Sequence, residues 1–473
     1  MAELDAVVVG AGPNGLAAAI AIAREGYAVT VLEAEDEIGG GTRTEELTVP
    51  GVLHDVCSAI HPLGVGSPFL SQLPLAEHGL RWAHPDVGVA HPLDDGTAGV
   101  VLQSLDETVR RLGADGDAWR RTFAWGVERF GPLMDDLLRP LTRVPRHPVA
   151  LAPVGLQALL PATVVARRFR TEAGKALFGG LAAHAFLPLE APLTASFGMM
   201  LTIAGHAAGW PVAVGGSRSI TDAMASYLRS LGGEIHTGVR VRRLSDLPRT
   251  RVALLDLTPR QILAIAGDEL PGRVRGAYER WRYGPAAFKV DYAVEGAVPW
   301  TAEGPRRAGT VHLGGTFDEV AAAEREVAAG RAPQRPFVLV GQQHLADPSR
   351  SVGDVHPLWA YAHVPNGYDG DLTDAIDAQI ERFAPGFRDR VIARHVWTPA
   401  ALEAHNSNYV GGDIAGGSHG GMQLLGRPRL ATDPYWTGVP GLYLCSSSTP
   451  PGAGVHGMCG ANAARSALKA LRR

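Results

Sequence analysis

The residues best suited to chemistry stand at the two ends of the chain. Near the start, Gly10, Gly12 and Gly15 have the spacing G-x-G-x-x-G, with Pro13 and Asn14 inside it, and a carboxylate follows at Glu33. Each glycine has a physical task. The first permits a tight turn, the second lets backbone approach a pyrophosphate, and the third lets a helix lie close to a sheet. The N-terminus of that helix offers unpaired N–H groups and the positive end of a dipole to an anion. Glu33 is placed to accept hydrogen bonds from the ribose hydroxyls of an unphosphorylated adenosine. Near the other end, Gly454-Val455-His456-Gly457 sets an imidazole within a glycine turn. Histidine moves protons near neutral pH, so His456 is the candidate catalytic residue. His61, His184, His206, His405 and His419 lie in or near other motif segments and read as structural groups, while Asp55 and Asp413 suit turns or caps. Cys57, Cys445 and Cys459 form no C-x-x-C pair, which argues against structural zinc and a dithiol redox centre, so no metal is expected.

These groups need elements to hold them. Ala6 to Val9 reads as a buried parallel strand, the alanine-rich run after Gly15 as a helix, and Ala28 to Leu32 as a second strand ending on Glu33. Strand, glycines, helix, strand and carboxylate agree within one βαβ unit, so the chain is expected to bind a dinucleotide; which one, these residues leave open. Ile38-Gly39-Gly40-Gly41-Thr42-Arg43 follows, a backbone able to lie flat against a ligand. Pro440 to Cys445 reads as a strand, followed by a proline and glycine turn and a helix to Leu471. Gly215 to His236 reads as a turn, an amphipathic helix stopped at Gly232 and a returning strand, and Val252 to Asp256 as another strand. Between them, helical stretches at 105–112 and 119–138 suggest an inserted lobe. Beyond 265, strands at 288–294, 336–340 and 358–363 alternate with helices at 317–328 and 372–383. The expected fold is therefore α/β: a Rossmann-type domain from 1–75, 209–264 and 396–473, with an inserted mixed α+β substrate domain from 76–208 and 265–395.

The 473-residue chain has a net charge of −4 and no nucleic-acid-binding signature, so nucleic acid is not an expected partner. The stretch 191–217 has no charged side chain but is broken by glycines and Pro211, so it reads as a buried segment rather than a membrane span. Leu137 to Arg170 mixes leucines with Arg139, Arg143, Arg146, Arg167, Arg168 and Arg170. That pattern suits either a solvated helical lobe or a surface that docks on a bilayer. The glycine motif begins within ten residues of Met1, so the protein is expected in the cytoplasm, with peripheral membrane contact as an added possibility.

Two segments extend the reading by likeness. Glu33 with Ile38 to Glu46 resembles the second glycine signature of the flavoprotein superfamily that includes amine oxidases and carotenoid desaturases. Pro440 to Ala464 resembles the flavin-binding segment of phytoene-desaturase-like FAD-dependent oxidoreductases, a group with carotene desaturases, carotene ketolases and the relatives of pyridine nucleotide-disulphide oxidoreductase domain protein 2. The likeness extends to Gly51 to Pro62, Gly209 to Ser217 and Asn408 to Ile414. There are two departures: the arginine that desaturases carry directly after the glycine pair is delayed past Gly41 to Arg43, and Ser446 replaces a usual glycine.

The resemblance implies FAD, held at the first half by Gly10, Gly12, Pro13, Asn14, Gly15, Glu33, Ala34, Gly39, Gly40, Gly41, Thr42 and Arg43. It adds Val241, Ser446, Ser447, Gly454, Val455, His456 and Gly457 from later segments. It further implies hydride removal from a carbon of a hydrophobic, carotenoid- or isoprenoid-like substrate to form a double bond. With a single dinucleotide unit in view, oxygen or a quinone is the expected electron acceptor. The alternatives are a flavin oxidase of an amine or secondary metabolite, a non-redox polyene isomerase, and a non-catalytic FAD-binding protein.

Overall fold

Val7, Val8 and Val9 are branched at Cβ and nearly inaccessible to solvent, which suits the centre of a sheet covered on both faces. In the computed structural model, which describes residues 4–472, they lie in the middle strand of a five-stranded sheet. The strands run in the order Leu442–Leu444, Thr250–Leu255, Leu4–Val9, Val29–Leu32 and Glu234–His236, and every neighbouring pair is parallel. The glycine-loop helix, Pro13–Ala23, packs on this sheet with the C-terminal helix, Met458–Leu471. Small residues bring the two helices together: Ala17, Ala18 and Ala19 are fully buried, and a Cβ at Gly460 would collide with the Asn14 carbonyl oxygen.

A second sheet has seven strands, ordered Val391–Trp397, Ala286–Glu295, Val355–Val364, Val338–Gly341, Ala308–Leu313, Val87–Pro92 and Ala98–Val101. It is antiparallel except where Ala308–Leu313 meets Val87–Pro92. The helix Thr373–Phe383 shares its apolar core. The neighbouring lobe is built from the helices Leu105–Arg111, Gly116–Glu128, Phe130–Leu137, Pro148–Ala158, Ala162–Ala166, Glu172–Ala183 and Thr194–Ala207.

Some elements differ from the sequence reading for identifiable reasons. The helix expected over 119–138 is two helices broken at Arg129, where φ is −114° and ψ 27°. Pro132 cannot donate to the carbonyl four residues back and its ring would clash there. The strand expected from Pro336 starts at Val338, since proline has no N–H for the ladder. The uncharged stretch 191–217 holds one buried helix and a two-residue strand, and among the described residues no helix is long and apolar enough to cross a membrane.

Buried charge ties two short ladders, Thr44–Glu45 with His54–Asp55 and Trp82–Ala83 with Val212–Ala213, to the loop that carries Asp347 and Arg350. Arg350, fully inaccessible, pairs with Asp55, donates from Nε to Asp347 at 3.1 Å and from Nη2 to the Ala213 carbonyl at 2.7 Å. Asp55 also accepts from Thr44 Oγ1 at 2.8 Å and from the Ser217 N–H at 2.7 Å. Burial would push the Asp55 carboxyl up; the Arg350 guanidinium and those hydrogen bonds hold it below the usual carboxylate range. Removing one partner strands a buried charge. Arg350→Met should therefore lower unfolding free energy by about 3–5 kcal/mol, read from urea denaturation; a loss below about 1 kcal/mol would show that the pair does not hold these segments together.

Candidate functional site

A cavity of about 560 Å³ lies between the two sheets and the helical lobe. Its polar end is built on the parallel sheet. Gly10 follows the first strand with φ +101°, a conformation open to glycine, and a Cβ there would sit 3.1 Å from the Asp256 Cβ. At Gly12 a Cβ would meet only Asp256 Oδ2 at 3.1 Å and the Gly40 Cα at 3.9 Å, so its backbone is bare to the cavity. Glu33 ends the second strand, buried, with Oε2 accepting from the Ala11 N–H at 2.7 Å and Oε1 from the Glu35 N–H at 3.0 Å. Asn14 is buried at the wall with its Oδ1 unpartnered. The Arg43 guanidinium donates to the His405 carbonyl at 3.1 Å and the Glu37 carbonyl at 3.0 Å, leaving Nε unpartnered. Bare backbone, a fixed carboxylate and unsatisfied polar atoms meeting at a helix N-terminus suit the adenosine and pyrophosphate of a dinucleotide.

Of the residues singled out from sequence, Gly10, Gly12, Pro13, Asn14, Glu33, Ala34, Gly40, Gly41, Arg43, Ser447, Gly454, Val455 and His456 line this one cavity. Six others do not reach it, and each has a structural task. Gly15 lies behind the wall, where a Cβ would strike the Gly10 carbonyl. Gly39, at φ +119°, donates its N–H to the Ala11 carbonyl at 3.0 Å, and Thr42 Oγ1 donates to the Gly39 carbonyl at 2.8 Å. Val241 packs with Val7, Val9 and Leu32. Ser446 Oγ accepts from the Ser448 N–H in its own turn. Gly457, left-handed, opens the C-terminal helix.

Among the histidines, His61, His184, His405, His419 and His456 line the cavity, whereas His206 accepts from Trp119 Nε1 at 3.0 Å in the lobe. Burial pulls His456 down to about 4, against the carbonyls of Ala453 and Gly452, so its ring is neutral at neutral pH. Its Nδ1 accepts from the Met458 N–H at 3.1 Å, which satisfies one free donor of the C-terminal helix. His456 thus braces the turn that carries Gly454 and Val455.

Sequence reasoning passed over Asp256. It ends the strand Thr250–Leu255 beside Gly10, and its Oδ2 accepts from the Gly15 N–H at 2.8 Å. Burial pushes its carboxyl up to about 7, opposed by the Gly15 N–H and reinforced by the charge on Glu33. A strand parallel to the first and ending on a carboxylate was the available signal. Trp359 and Tyr361 were also missed, although alternation along their strand puts them on one face. Their rings meet edge to face at 4.9 Å, and Trp359 Nε1 donates to the Cys57 carbonyl at 3.2 Å.

The other end of the cavity is an apolar chamber. It is lined by Trp210, Leu339, Trp359 and Tyr361, with Leu133, Phe186, Phe197 and Met199 from the helical lobe and its loops. The charged lining residues are Glu33, Glu35, Arg43 and Asp256 at the dinucleotide end and Arg139 near Leu141.

Comparison with known proteins agrees with this geometry. Residues 8–73 match the NAD(P)-binding Rossmann-like domain family. The chain is 27% identical to a pyridine nucleotide-disulfide oxidoreductase domain-containing protein 2 from Mus musculus, over 99% of this chain and 94% of that protein. It is 25% identical to a neurosporene-forming phytoene desaturase from Rhodobacter capsulatus, over 52% of this chain and 51% of the desaturase. Its fold is similar to that of wild-type putrescine oxidase bound to putrescine, at 18% identity, a TM-score of 0.62 and full coverage of both chains. The protein is a homologue of pyridine nucleotide-disulfide oxidoreductase domain-containing protein 2 and of phytoene desaturase, built around a Rossmann-like dinucleotide domain.

Proposed function

We propose that the protein is an FAD-dependent oxidoreductase that removes hydride from a carbon of a hydrophobic substrate and leaves a double bond, with oxygen or a quinone as electron acceptor. The observation that carries this reading is one cavity joining a dinucleotide cradle to an apolar chamber. The homology to a phytoene desaturase supports it. The chemistry that FAD supplies when bound is hydride acceptance. The protein's part is to bind, orient and exclude water. Glu33 holds the ribose, the backbone of Gly12, Gly40 and Gly41 admits the pyrophosphate, and His456 braces the turn at the flavin end. The C-terminal helix starts beside that turn, and the positive end of its dipole favours negative charge there. Trp210, Trp359 and the leucines keep the chamber dry, which suits an extended polyene.

The likeness to putrescine oxidase raises an amine oxidase as a second reading. Trp359 and Tyr361 sit two residues apart on a single strand, so they form one wall rather than facing walls. Among the described residues, the apolar end of the cavity is lined by no carboxylate to meet an ammonium group, which favours the hydrocarbon reading. A polyene isomerase would use the same chamber without net turnover of an acceptor.

The mouth of the chamber passes Leu141 and Ala158, next to the exposed Val144, Val149 and Leu156 and the exposed Arg143, Arg146, Arg167 and Arg168. That combination suits peripheral contact with an anionic bilayer from which an apolar substrate would enter.

Three outcomes follow from these assignments. The purified protein should show an oxidised flavin spectrum that a polyene bleaches anaerobically, and Gly12→Trp should lose the flavin; a variant that stays yellow would remove the cradle from the binding path. Vesicles containing phosphatidylglycerol should sediment the protein, and Val144→Asp with Leu156→Asp should prevent it; equal sedimentation of both would dismiss that surface. For Asp256, a folded-state carboxyl raised to about 7 costs stability once ionised, so its contribution falls as pH rises from about 4 to about 7. Relative to Asp256→Asn, the cofactor-free wild type should be more stable at pH 5 than at pH 8, with a span on the order of 4 kcal/mol between the limits; a difference independent of pH would refute the assignment.

A further inference from the structure

Behind the apolar chamber lies a group of histidines, His91, His312 and His363 buried and His184 half-buried, that the proposed reaction does not use. His184 caps the C-terminal end of the helix Glu172–Ala183 and lines the cavity. Its Nε2 is 3.2 Å from Nε2 of His312, which sits in the strand Ala308–Leu313 with no solvent exposure. His91 lies on the adjacent strand and its Nε2 donates to the Gly315 carbonyl at 2.8 Å. Hydrogen accounting orients the pair. Burial holds His184 down to about 3, with His363 adding to the effect. Burial, reinforced by its neighbouring histidines, pushes His312 well below the ordinary histidine range. Each neutral ring therefore carries one N–H. Nδ1 of His312 is buried without a partner, as is Nδ1 of His91, so a hydrogen on the His312 Nδ1 would find no acceptor. Placed on Nε2 it is donated to His184. His184 then accepts at Nε2 and carries its own hydrogen on Nδ1, as a donor fixed in orientation at the chamber wall.

An acid nearby, Glu324, is turned to another histidine. Glu324 is buried and bonds His363 Nδ1 at 2.8 Å, and Phe186 stacks on His363 at 3.8 Å between ring centres; neither Glu324 nor His363 lines the cavity. The wall thus offers a neutral donor in an apolar chamber with no acid to pair with a cation. We propose that His184, backed by His312, is a specificity-determining anchor that takes one hydroxyl or carbonyl oxygen of an otherwise hydrocarbon substrate. This rests on the reading of the chamber as a hydrophobic substrate site, and narrows it from pure hydrocarbons to mono-oxygenated isoprenoid or lipid-like molecules. A site built to hydrogen-bond one substrate oxygen discriminates against the analogue that lacks it, because its buried polar group is then left unpaired.

The test compares farnesol with farnesene, matched in chain and differing in one hydroxyl, by quenching of tryptophan fluorescence in the protein as purified, since Trp210 and Trp359 line the chamber. Farnesol should bind about tenfold more tightly than farnesene. His184→Phe should abolish that preference while leaving farnesene affinity within about twofold, and His184→Asn, which keeps a donor, should restore part of it. Equal binding of the two probes by the wild type, or a preference that survives in His184→Phe, would overturn the anchor while leaving the hydrophobic chamber in place. Binding of putrescine with neither isoprenoid bound would overturn both. Urea denaturation of the two variants confirms that each is folded.

Discussion

The Arg350 guanidinium is the constraint on which the arrangement depends. It is fully buried and satisfied by Asp55, Asp347 and the Ala213 carbonyl, which come from three separate parts of the chain. Such a group is tolerated only when its donors find partners in good geometry. Meeting that requirement ties the turn at Ser217 and the short ladder at Thr44 and Asp55 to the loop that carries Asp347 and Arg350. The cavity is the space left between the bodies so fixed. Arg350, Asp55 and Asp347 lie outside the cavity's lining, so its polar and apolar ends meet without that charge between them.

Within that space chemistry divides by origin. The parallel sheet contributes backbone and carboxylates: Gly12, Glu33 and Asp256 lie at the C-terminal ends of strands or directly after them, where a doubly wound sheet binds its ligand. The antiparallel sheet contributes side chains that alternate on one face, with Trp359 and Tyr361 toward the chamber. His456, which sequence favoured for catalysis, belongs to neither set. Its Nδ1 is occupied by the helix that follows, so its ring maintains a turn.

Much of this was legible in the sequence, for reasons that can be named. The glycine spacing, the alanine run and Glu33 each report a local backbone requirement, and local requirements are written in consecutive residues. The helix Phe317–Ala328 was bounded correctly because Thr316 and Glu319 form a capping box at its start. What escaped was nonlocal. Asp256 is separated by 241 positions from the Gly15 N–H it accepts. Nothing within its own strand announces that the partner is a glycine loop. The same holds for His184 and His312, which come from a helix end and a strand that only the folded chain brings together. Val241 and Ser446, which family position set beside the cofactor, lie off the cavity lining: one sits in an apolar cluster and the other accepts a hydrogen bond within its own turn.

The close approach of Gly460 to Asn14 has a consequence for how the molecule is made. The first helix of the chain must dock against the last, and the edge strand Leu442–Leu444 must find a sheet whose other members were synthesised long before it. Until then, the face of the first helix that carries Ala17 and Ala18 has no cover. The contact has a high loop-closure cost, so it forms late. Until residues 442–471 have been made, the nascent chain thus holds most of the nucleotide cradle with an open seam. The smallness of Gly460 is what lets the helix Met458–Leu471 close that seam, since any side chain there would strike the Asn14 carbonyl.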